Sequence, residues 1–260
     1  MNMNDNLIFA TSEKPIKNEF DLIYFDEYRN STSKTQEKAR ELARSGSTIA
    51  NILKFCKSEE NRILSNQLKN EANLSKRFSM RTFENFKVEN KVQEYAFNRA
   101  KEYVKNIDKN IENGTGIIFV GSGCVGTGKT HLACAIANEL LNNGYPVKVI
   151  NVAKMIYQIK EDFKVDQYLN IPILLIDDLG KETGTQWVCE MLYLIFNERY
   201  ESMKPTIITT ENGLEEIRRN YVTTVNGQTI DRGKSITSRL TEDFIYIPLT
   251  GDDYRQRRAS

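Results

Sequence analysis

Eight residues, Gly123 to Thr130, read G-C-V-G-T-G-K-T and have the spacing of a phosphate-binding loop. They stand between an apolar run, residues 117–120, and a helix-like segment, residues 131–141. In such a loop, glycines let backbone N–H groups converge on phosphate oxygens, a lysine reaches the β and γ phosphates, and a Ser or Thr hydroxyl can bind Mg²⁺. The sequence therefore predicts a site for a nucleoside triphosphate, ATP, and Mg²⁺.

Within this loop, Lys129 is the predicted phosphate-binding cation and Thr130 a predicted metal ligand. His131 follows, and we expect its backbone N–H to face the phosphates, rather than its ring to act in catalysis. The predicted nucleotide-binding residues are Gly123, Val125, Gly126, Thr127, Gly128, Lys129, Thr130 and His131.

Two carboxylates, Asp177 and Asp178, follow the apolar run Ile171 to Ile176. Because ligands of a parallel sheet bind at the carboxyl ends of its strands, we expect this pair and the loop at the tips of two adjacent inner strands. One acid of such a pair holds Mg²⁺, and the next activates an attacking water. Alone, the pair is explained more simply as a strand ending in a turn. Combined with the loop, it predicts Asp177 as the metal ligand and Asp178 as the base.

Other candidates follow or precede later apolar runs. Glu211 and Asn212, in T-T-E-N, are placed to set a polar group beside the γ phosphate and the attacking water. Arg239, before the last run, and Arg255, after it, are candidates for neutralising charge in the transition state. A single arginine on a helix is more often a solvated residue or part of a surface ion pair, so context must decide.

Composition limits the class of protein. The chain has 260 residues, with 36 basic and 35 acidic, so no overall field attracts nucleic acid and any such surface must be local. Its four cysteines are widely spaced and accompany one histidine, which favours neither a zinc site nor a disulfide framework. No apolar stretch approaches the roughly twenty residues of a membrane span. We therefore expect a soluble, cytoplasmic protein with no membrane partner.

The amino-terminal part, to about Arg77, is polar with helical periodicity, seen most clearly in one apolar face formed by Ile49, Ile52, Leu53 and Cys56. A second amphipathic helix is predicted from Val92 to Ile107. Its expected apolar side consists of Val92, Tyr95, Ala96, Arg99, Ala100, Tyr103 and Ile107.

From Gly116 the pattern changes to short apolar runs separated by helical stretches, which is typical of a parallel sheet covered by helices on both faces. We predict a five-stranded, doubly wound α/β domain. A small insertion, with the hairpin signal Asn226-Gly227, is expected between residues 221 and 233. The predicted strands are 117–120, 147–152, 171–176, 206–209 and 244–247.

The motifs occur in a fixed order: G-C-V-G-T-G-K-T-H-L-A, I-L-L-I-D-D-L-G, N-E-R-Y with K-P-T-I-I-T-T, S-R-L, and G-D-D-Y-R. This order resembles the DnaC-like replicative helicase loaders, a branch of the AAA+ ATPases that includes the IstB-like group, from Phe78 to Arg255. The resemblance implies a P-loop αβα sandwich over residues 78–260, without a carboxyl-terminal lid. It also implies a helical, helicase-binding segment over residues 1–77.

The resemblance also implies roles. Lys129 and Thr130 correspond to the Walker A motif, Asp177 and Asp178 to the Walker B pair, and residues 210–212 to the first sensor. Arg239 corresponds to an arginine finger that acts on a neighbouring subunit, and Arg255 to the second sensor. An arginine acting between subunits requires a head-to-tail homo-oligomer.

This sequence departs from the family pattern at two places. Glu211 stands where the family commonly has asparagine, with Asn212 one position later, so the sensor residue among Thr210, Glu211 and Asn212 is left open. Gly121 and Ser122 look like an addition between the strand and the loop. The helicase-binding surface is matched only by position and helical character.

Two functions fit these motifs. The first is an ATP-dependent loader of a hexameric replicative helicase onto single-stranded DNA. The alternative is a transposition helper ATPase of the IstB type, which acts on double-stranded DNA; Asp177-Asp178 and Lys204-Pro205-Thr206 favour the loader. A small-molecule P-loop kinase would leave the paired carboxylates and Arg239 unexplained. Candidate DNA contacts are Arg218 and Arg219 with Tyr221, and Arg255, Arg257 and Arg258 with Tyr254, although solvated surface charge explains these clusters equally well.

Overall fold

The computed structural model describes Leu22, residues 25–72 and residues 74–251. The chain divides into two compact units, Met1–Gln67 and Leu68–Ser260. The division falls within a long helix, and the boundary predicted between residues 77 and 78 lies inside the second unit. No helix among the described residues is long and apolar enough to span a membrane.

The described helices and strands alternate after residue 115 as predicted. The helices are α1 (Asp26–Arg29), α2 (Ser33–Arg44), α3 (Ile49–Glu71), α4 (Lys76–Ser79), α5 (Lys91–Lys105), α6 (Ile107–Glu112), α7 (Lys129–Asn142), α8 (Val152–Asp162), α9 (Asp166–Leu169), α10 (Gln186–Glu201), α11 (Leu214–Asn220) and α12 (Arg232–Glu242). The strands are β1 (Gly116–Val120), β2 (Val147–Asn151), β3 (Ile173–Leu179), β4 (Thr206–Thr210), β5 (Val222–Val225), β6 (Gln228–Asp231) and β7 (Phe244–Pro248).

The described part of the first unit is helical, as predicted. Helix α2 begins after Thr32, whose hydroxyl accepts a hydrogen bond from the Thr35 N–H and so caps the helix. Ile52 and Cys56 of the predicted apolar face of α3 are fully buried. They belong to a small core that also contains Leu22, Tyr28, Ala39 and Ala43.

Five strands of the second unit form one sheet in the order β2-β3-β4-β1-β7, and every neighbouring pair is parallel. The predicted five-stranded parallel sheet is therefore confirmed. The prediction that the strands before the loop and before the Asp pair are neighbours was wrong, because β4 lies between β1 and β3. Sequence order cannot show this, since helical crossovers allow a later strand to enter between two earlier ones.

The sheet is buried on both faces, which explains its continuous apolar runs. Along β1, Ile117 and Phe119 pack into a core that includes α5 and α7. The alternate residues Ile118 and Val120 pack into a second core that includes α8, α10 and α12. Both faces therefore exclude water, and the strand ends are left as the place where polar groups can reach a ligand.

Two predicted details differ from the structure. Strand β3 continues past Ile176 to Leu179, so both aspartates lie within it. On α5, the predicted apolar side is wrong at its start, because Val92 is 39% exposed and Tyr95 is 51% exposed. Gln93 is buried there instead, since its side-chain amide binds a backbone carbonyl of the loop. The predicted insertion is confirmed as the β5–β6 hairpin, with positive φ angles of 50° at Asn226 and 79° at Gly227.

The buried side chain of Arg199 connects the amino ends of β3 and β4 through hydrogen bonds. The side chain of Arg199, on α10, is 1% exposed and donates to the Thr206 hydroxyl at 2.9 Å and to four backbone carbonyls. Burial lowers the pKa of Arg199 to about 9, but all of these acceptors favour the protonated guanidinium. The carbonyls belong to Tyr168, Ile171, Pro172 and Pro205.

Candidate functional site

The phosphate-binding loop follows β1 and is hydrogen-bonded to the carboxyl end of β4. The Gly121 N–H donates to the Thr210 carbonyl at 2.9 Å, and the Gly123 N–H donates to the Glu211 carbonyl at 2.6 Å. Between them, Ser122 and Gly123 have positive φ angles of 45° and 84°. The two residues that looked additional in the sequence therefore form a turn that joins the loop to β4.

Small residues are required at both ends of the loop. A Cβ atom on Gly121 would lie 2.7 Å from the Cys124 carbonyl oxygen and would collide with the Lys129 ammonium. Gly128 has a φ of 106°, and a Cβ atom there would lie 2.8 Å from the Phe86 ring. Either substitution would push the loop out of its present path.

Helix α7 begins at Lys129 without a side-chain cap, because residue 128 is glycine. Its first backbone bond runs from the Leu132 N–H to the Gly128 carbonyl at 3.0 Å. The N–H groups of Lys129 and Thr130 therefore have no acceptor within the helix, and the helix dipole adds partial positive charge at this end. This arrangement suits the binding of an anionic phosphate group.

The Lys129 ammonium lies inside the loop. The side chain is 6% exposed, and Nζ donates to the Cys124 carbonyl at 2.6 Å and to the Thr127 hydroxyl at 3.3 Å. Burial lowers the pKa of Lys129, and the nearby Glu211 carboxylate opposes this change. Phosphate oxygens would offer the ammonium stronger, charged acceptors than these neutral ones.

The two predicted metal ligands, Thr130 and Asp177, lie together. Asp177 is 4% exposed, and its Oδ1 accepts a hydrogen bond from the Thr209 hydroxyl at 2.7 Å. Burial raises the pKa of Asp177, whereas hydrogen bonds from Thr209 and Thr130 oppose this and Asp178 adds to it. A buried carboxylate beside a hydroxyl fits Mg²⁺, which takes one or two protein oxygens and completes its shell with water and phosphate. Across the described ranges, no group of three or more His, Cys, Asp or Glu side chains could hold a metal ion.

Asp178 is placed by an irregularity in β3. Its φ is 63°, and the pairing of β3 with β4 shifts register between Ile176 and Leu179. The Asp178 N–H donates to the Thr209 hydroxyl oxygen at 2.9 Å, so Thr209 binds both aspartates. Such a bulge turns a side chain away from the regular alternation of a strand. The Asp178 carboxylate thereby becomes partly exposed and reaches partners outside the ladder.

Those partners include a residue that sequence reasoning missed. The Asp178 carboxylate lies 3.2 Å from Lys181 Nζ and accepts a longer hydrogen bond, of 3.4 Å, from the Asn151 amide of β2. The same Lys181 ammonium lies 2.9 Å from the Glu211 carboxylate. The signal in the sequence is a lysine three residues after the second aspartate.

The three residues of the predicted sensor, Thr210, Glu211 and Asn212, contact different partners. The Thr210 hydroxyl points inward and donates to the Leu179 carbonyl at 2.8 Å. The Asn212 amide lies 3.4 Å from the Gly180 carbonyl. Glu211 alone of the three carries a charge that influences Lys129 and Lys181.

Segment 82–93, before the first strand, supports the loop from the other side. The ring Nε2 of His131 lies 2.9 Å from the Thr82 carbonyl oxygen and 2.8 Å from the Asn85 side-chain oxygen. Phe86 packs edge-on against the His131 ring at 5.1 Å between centroids, and the buried Gln93 donates to the Thr127 carbonyl at 3.2 Å. The His131 ring therefore has a structural role in addition to the predicted backbone role.

Of the two predicted arginines, Arg239 makes its contacts away from this site. Arg239, on α12, donates to the Ser235 carbonyl at 3.0 Å and to the Asn197 amide oxygen of α10. Its guanidinium also lies over the rings of Tyr193 and Tyr200, at 5.4 Å from each centroid. Arg255 lies outside the described residues.

Comparisons with known proteins agree with this geometry. The model of the family described as IstB-like ATP binding protein matches residues 34–260. The chain is 30% identical over 186 residues to the replicative helicase loader DnaC of Escherichia coli strain K12, covering 68% of this chain and 69% of that one. It is 33% identical over 150 residues to the phage-like element PBSX protein XkdC of Bacillus subtilis strain 168, covering 53% and 56%.

A solved structure of the DnaC helicase loader superposes with a TM-score of 0.57 and 27% identity, covering 67% of this chain and 99% of that one. The fold is that of the P-loop AAA+ ATPases, and the chain belongs to the IstB-like ATP binding protein family.

Proposed function

We propose that this protein is an ATP-dependent loader that places a hexameric replicative DNA helicase on single-stranded DNA during the initiation of replication. The observation that carries the proposal is that four groups lie together at the carboxyl ends of β1, β4 and β3. They are the phosphate-binding loop, Thr130, Asp177 and Asp178. The similarity to a replicative helicase loader supports the choice of partner.

In this proposal, the backbone N–H groups of the loop and the Lys129 ammonium bind the phosphates of ATP. Thr130 and Asp177 would hold Mg²⁺, which would neutralise charge on the β and γ phosphates. Asp178 accepts a proton from a water molecule, whose oxygen attacks the γ phosphorus while the bond to the β-phosphate oxygen breaks and ADP leaves. Asp178 suits the base role because it is partly exposed, whereas Asp177 is buried.

Arg239 is proposed to act on ATP bound by a neighbouring copy of the chain. Its partners within its own chain are neutral groups of α10 and α12, and its Nε is buried without a hydrogen-bond partner. A phosphate oxygen would be a stronger, charged acceptor than these neutral groups, which suits a role in stabilising phosphoryl transfer. This requires a head-to-tail assembly. Arg255 is proposed for the second-sensor role on the sequence alone.

For single-stranded DNA, we propose a surface other than the two clusters expected from the sequence. Tyr221 of the predicted cluster is fully buried, so it cannot stack on a base. On α8 and just after it, Tyr157 is 65% exposed and Phe163 is 84% exposed. Exposed lysines flank them at Lys154, Lys160 and Lys164. We call these five residues the α8 surface. Exposed Glu161 and Asp162 lie between Lys160 and Phe163, and the combination of exposed aromatic rings with lysines is that of single-strand binders.

The alternative is the IstB-type transposition helper, which the name of the matching family favours. The two functions share the ATPase site and differ in the partner and in the form of DNA. We propose residues 1–77 as the helicase-binding segment and residues 78–260 as the ATPase domain.

The proposed roles of Lys129 and Asp178 predict that one variant loses ATP binding and the other loses ATP hydrolysis. Lys129→Ala should weaken ATP binding at least about 100-fold, because a buried, charged phosphate contact is lost. Asp178→Asn should keep ATP affinity within about threefold but slow hydrolysis at least about 100-fold, as loss of a general base does. Equilibrium binding of a fluorescent ATP analogue and phosphate release would measure both. Equal loss of binding in the two variants would contradict the assignment.

An arginine that acts between subunits predicts rescue by mixing. Arg239→Ala should bind ATP normally and hydrolyse it at least about 100-fold more slowly. Adding Lys129→Ala, which is inactive alone but retains Arg239, should restore part of the activity. The double variant Lys129→Ala/Arg239→Ala is the matched control and should restore none. Absence of rescue at every mixing ratio would argue against a head-to-tail site.

The α8 surface predicts a stacking contribution to DNA binding. Phe163→Ala and Tyr157→Ala should each weaken binding to a labelled single strand about tenfold, as loss of one base-stacking contact does. Met203→Ala is the matched control, because Met203 is also exposed and has a positive φ. Fluorescence anisotropy would measure the affinities. Tighter binding to duplex DNA than to a single strand would favour the transposition helper.

The helicase partner predicts a requirement for the amino-terminal segment. In a pull-down, the full chain should capture a hexameric replicative helicase, and residues 78–260 alone should not, although they should still bind ATP. Retention of the helicase by the shorter chain would place the binding surface in the ATPase domain. Capture of a transposase instead would support the alternative function.

A further inference from the structure

Lys181 occupies a position between two carboxylates of the proposed ATPase site. It follows β3, and its ammonium lies 3.2 Å from Asp178 and 2.9 Å from Glu211. Its side chain is 45% exposed, whereas those of Asp178 and Glu211 are 27% and 22% exposed. An ion pair at this exposure adds little to stability, so stability alone does not account for a lysine here.

The charge of Glu211 raises a difficulty that Lys181 resolves. Glu211 follows β4, which lies between β1 and β3 in the sheet. Its backbone carbonyl accepts a hydrogen bond from the Gly123 N–H. A bare carboxylate at this position would repel the γ phosphate, whereas the neutral asparagine that the family commonly carries could donate a hydrogen bond. With Lys181 bound to it, the carboxylate becomes part of a pair that keeps one N–H donor, since an ammonium has three and the carboxylates of Asp178 and Glu211 take two.

Lys181 also lies within electrostatic range of the loop. It contributes to the lowering of the Lys129 pKa, as a second cation nearby must, while Glu211 and Asp178 oppose that effect. These four side chains therefore share one site. Adding the negative charges of a triphosphate to the two carboxylates would favour a second cation beside Lys129.

We propose that Lys181 is a ligand of the γ phosphate, held in place by Glu211, and that the Lys181–Glu211 pair replaces the asparagine of the first sensor. The proposal rests on the proposed ATPase function. In the absence of nucleotide, the ammonium is shared by Glu211 and Asp178. With ATP bound, the γ phosphate takes the place of Asp178, whose carboxylate is released to accept the proton of the attacking water. ADP lacks the group that Lys181 contacts, so the pair also distinguishes ATP from ADP.

The experiment compares the affinities of the full chain for a non-hydrolysable ATP analogue and for ADP, both with Mg²⁺. Lys181→Met should weaken binding of the triphosphate at least about tenfold, as loss of a charge-assisted hydrogen bond does, and change ADP binding less than about twofold. Lys181→Arg should restore most of the difference. Lys181→Met/Glu211→Gln should bind the triphosphate more tightly than Lys181→Met, because the repelling carboxylate is removed.

Lys105→Met, on the exposed end of α5, is the control and should change neither affinity. Equal weakening of triphosphate and ADP binding by Lys181→Met would show that Lys181 only supports the loop, and no change in either would show a surface ion pair; both results overturn the proposal. If the unmodified chain bound neither nucleotide, the ATPase function itself would fail, and that result is distinct from these.

Discussion

The buried carboxylate of Asp177 sets the constraint on which the site depends. A charge with 4% exposure is costly unless hydrogen bonds or a cation compensate it. Thr209 supplies one hydrogen bond from β4, and Thr130 supplies another from the start of α7. Because these hydrogen bonds come from different elements, they fix the start of α7, β4 and β3 relative to one another.

Strand β4 has a larger part in the site than its few polar side chains suggest. Its Thr209 hydroxyl binds both aspartates, and the carbonyls of Thr210 and Glu211 hold the loop. Because β4 lies between β1 and β3, a shift of any one of these strands would displace the other two. The register shift in β3 separates the two aspartates by environment, one buried and one reaching Lys181, and so allows two acids of the same type to have different roles.

The balance of charge around the loop is set by pairs rather than by net charge. The chain as a whole is nearly neutral, with a formal net charge of +1. Within the site, Lys181 is paired with Asp178 and Glu211, and Lys129 lies near the same two carboxylates. Arg239 is on a different helix and lies over two tyrosine rings. A triphosphate would add negative charge among groups that are already compensated, which is why the placement of each cation matters.

The sequence by itself determined the fold class, the five strands, the loop and the pair of aspartates that follows an apolar run, because these depend on local patterns: continuous apolar runs, glycine spacing, and adjacent acids. Tertiary structure decided what local patterns cannot carry. It placed β4 between β1 and β3, exposed Val92 and Tyr95, buried Tyr221, and brought Lys181 to Asp178 and Glu211. The order of strands in a sheet and the partner of a charged side chain depend on contacts between residues far apart in the chain, and only the packed molecule brings those residues together.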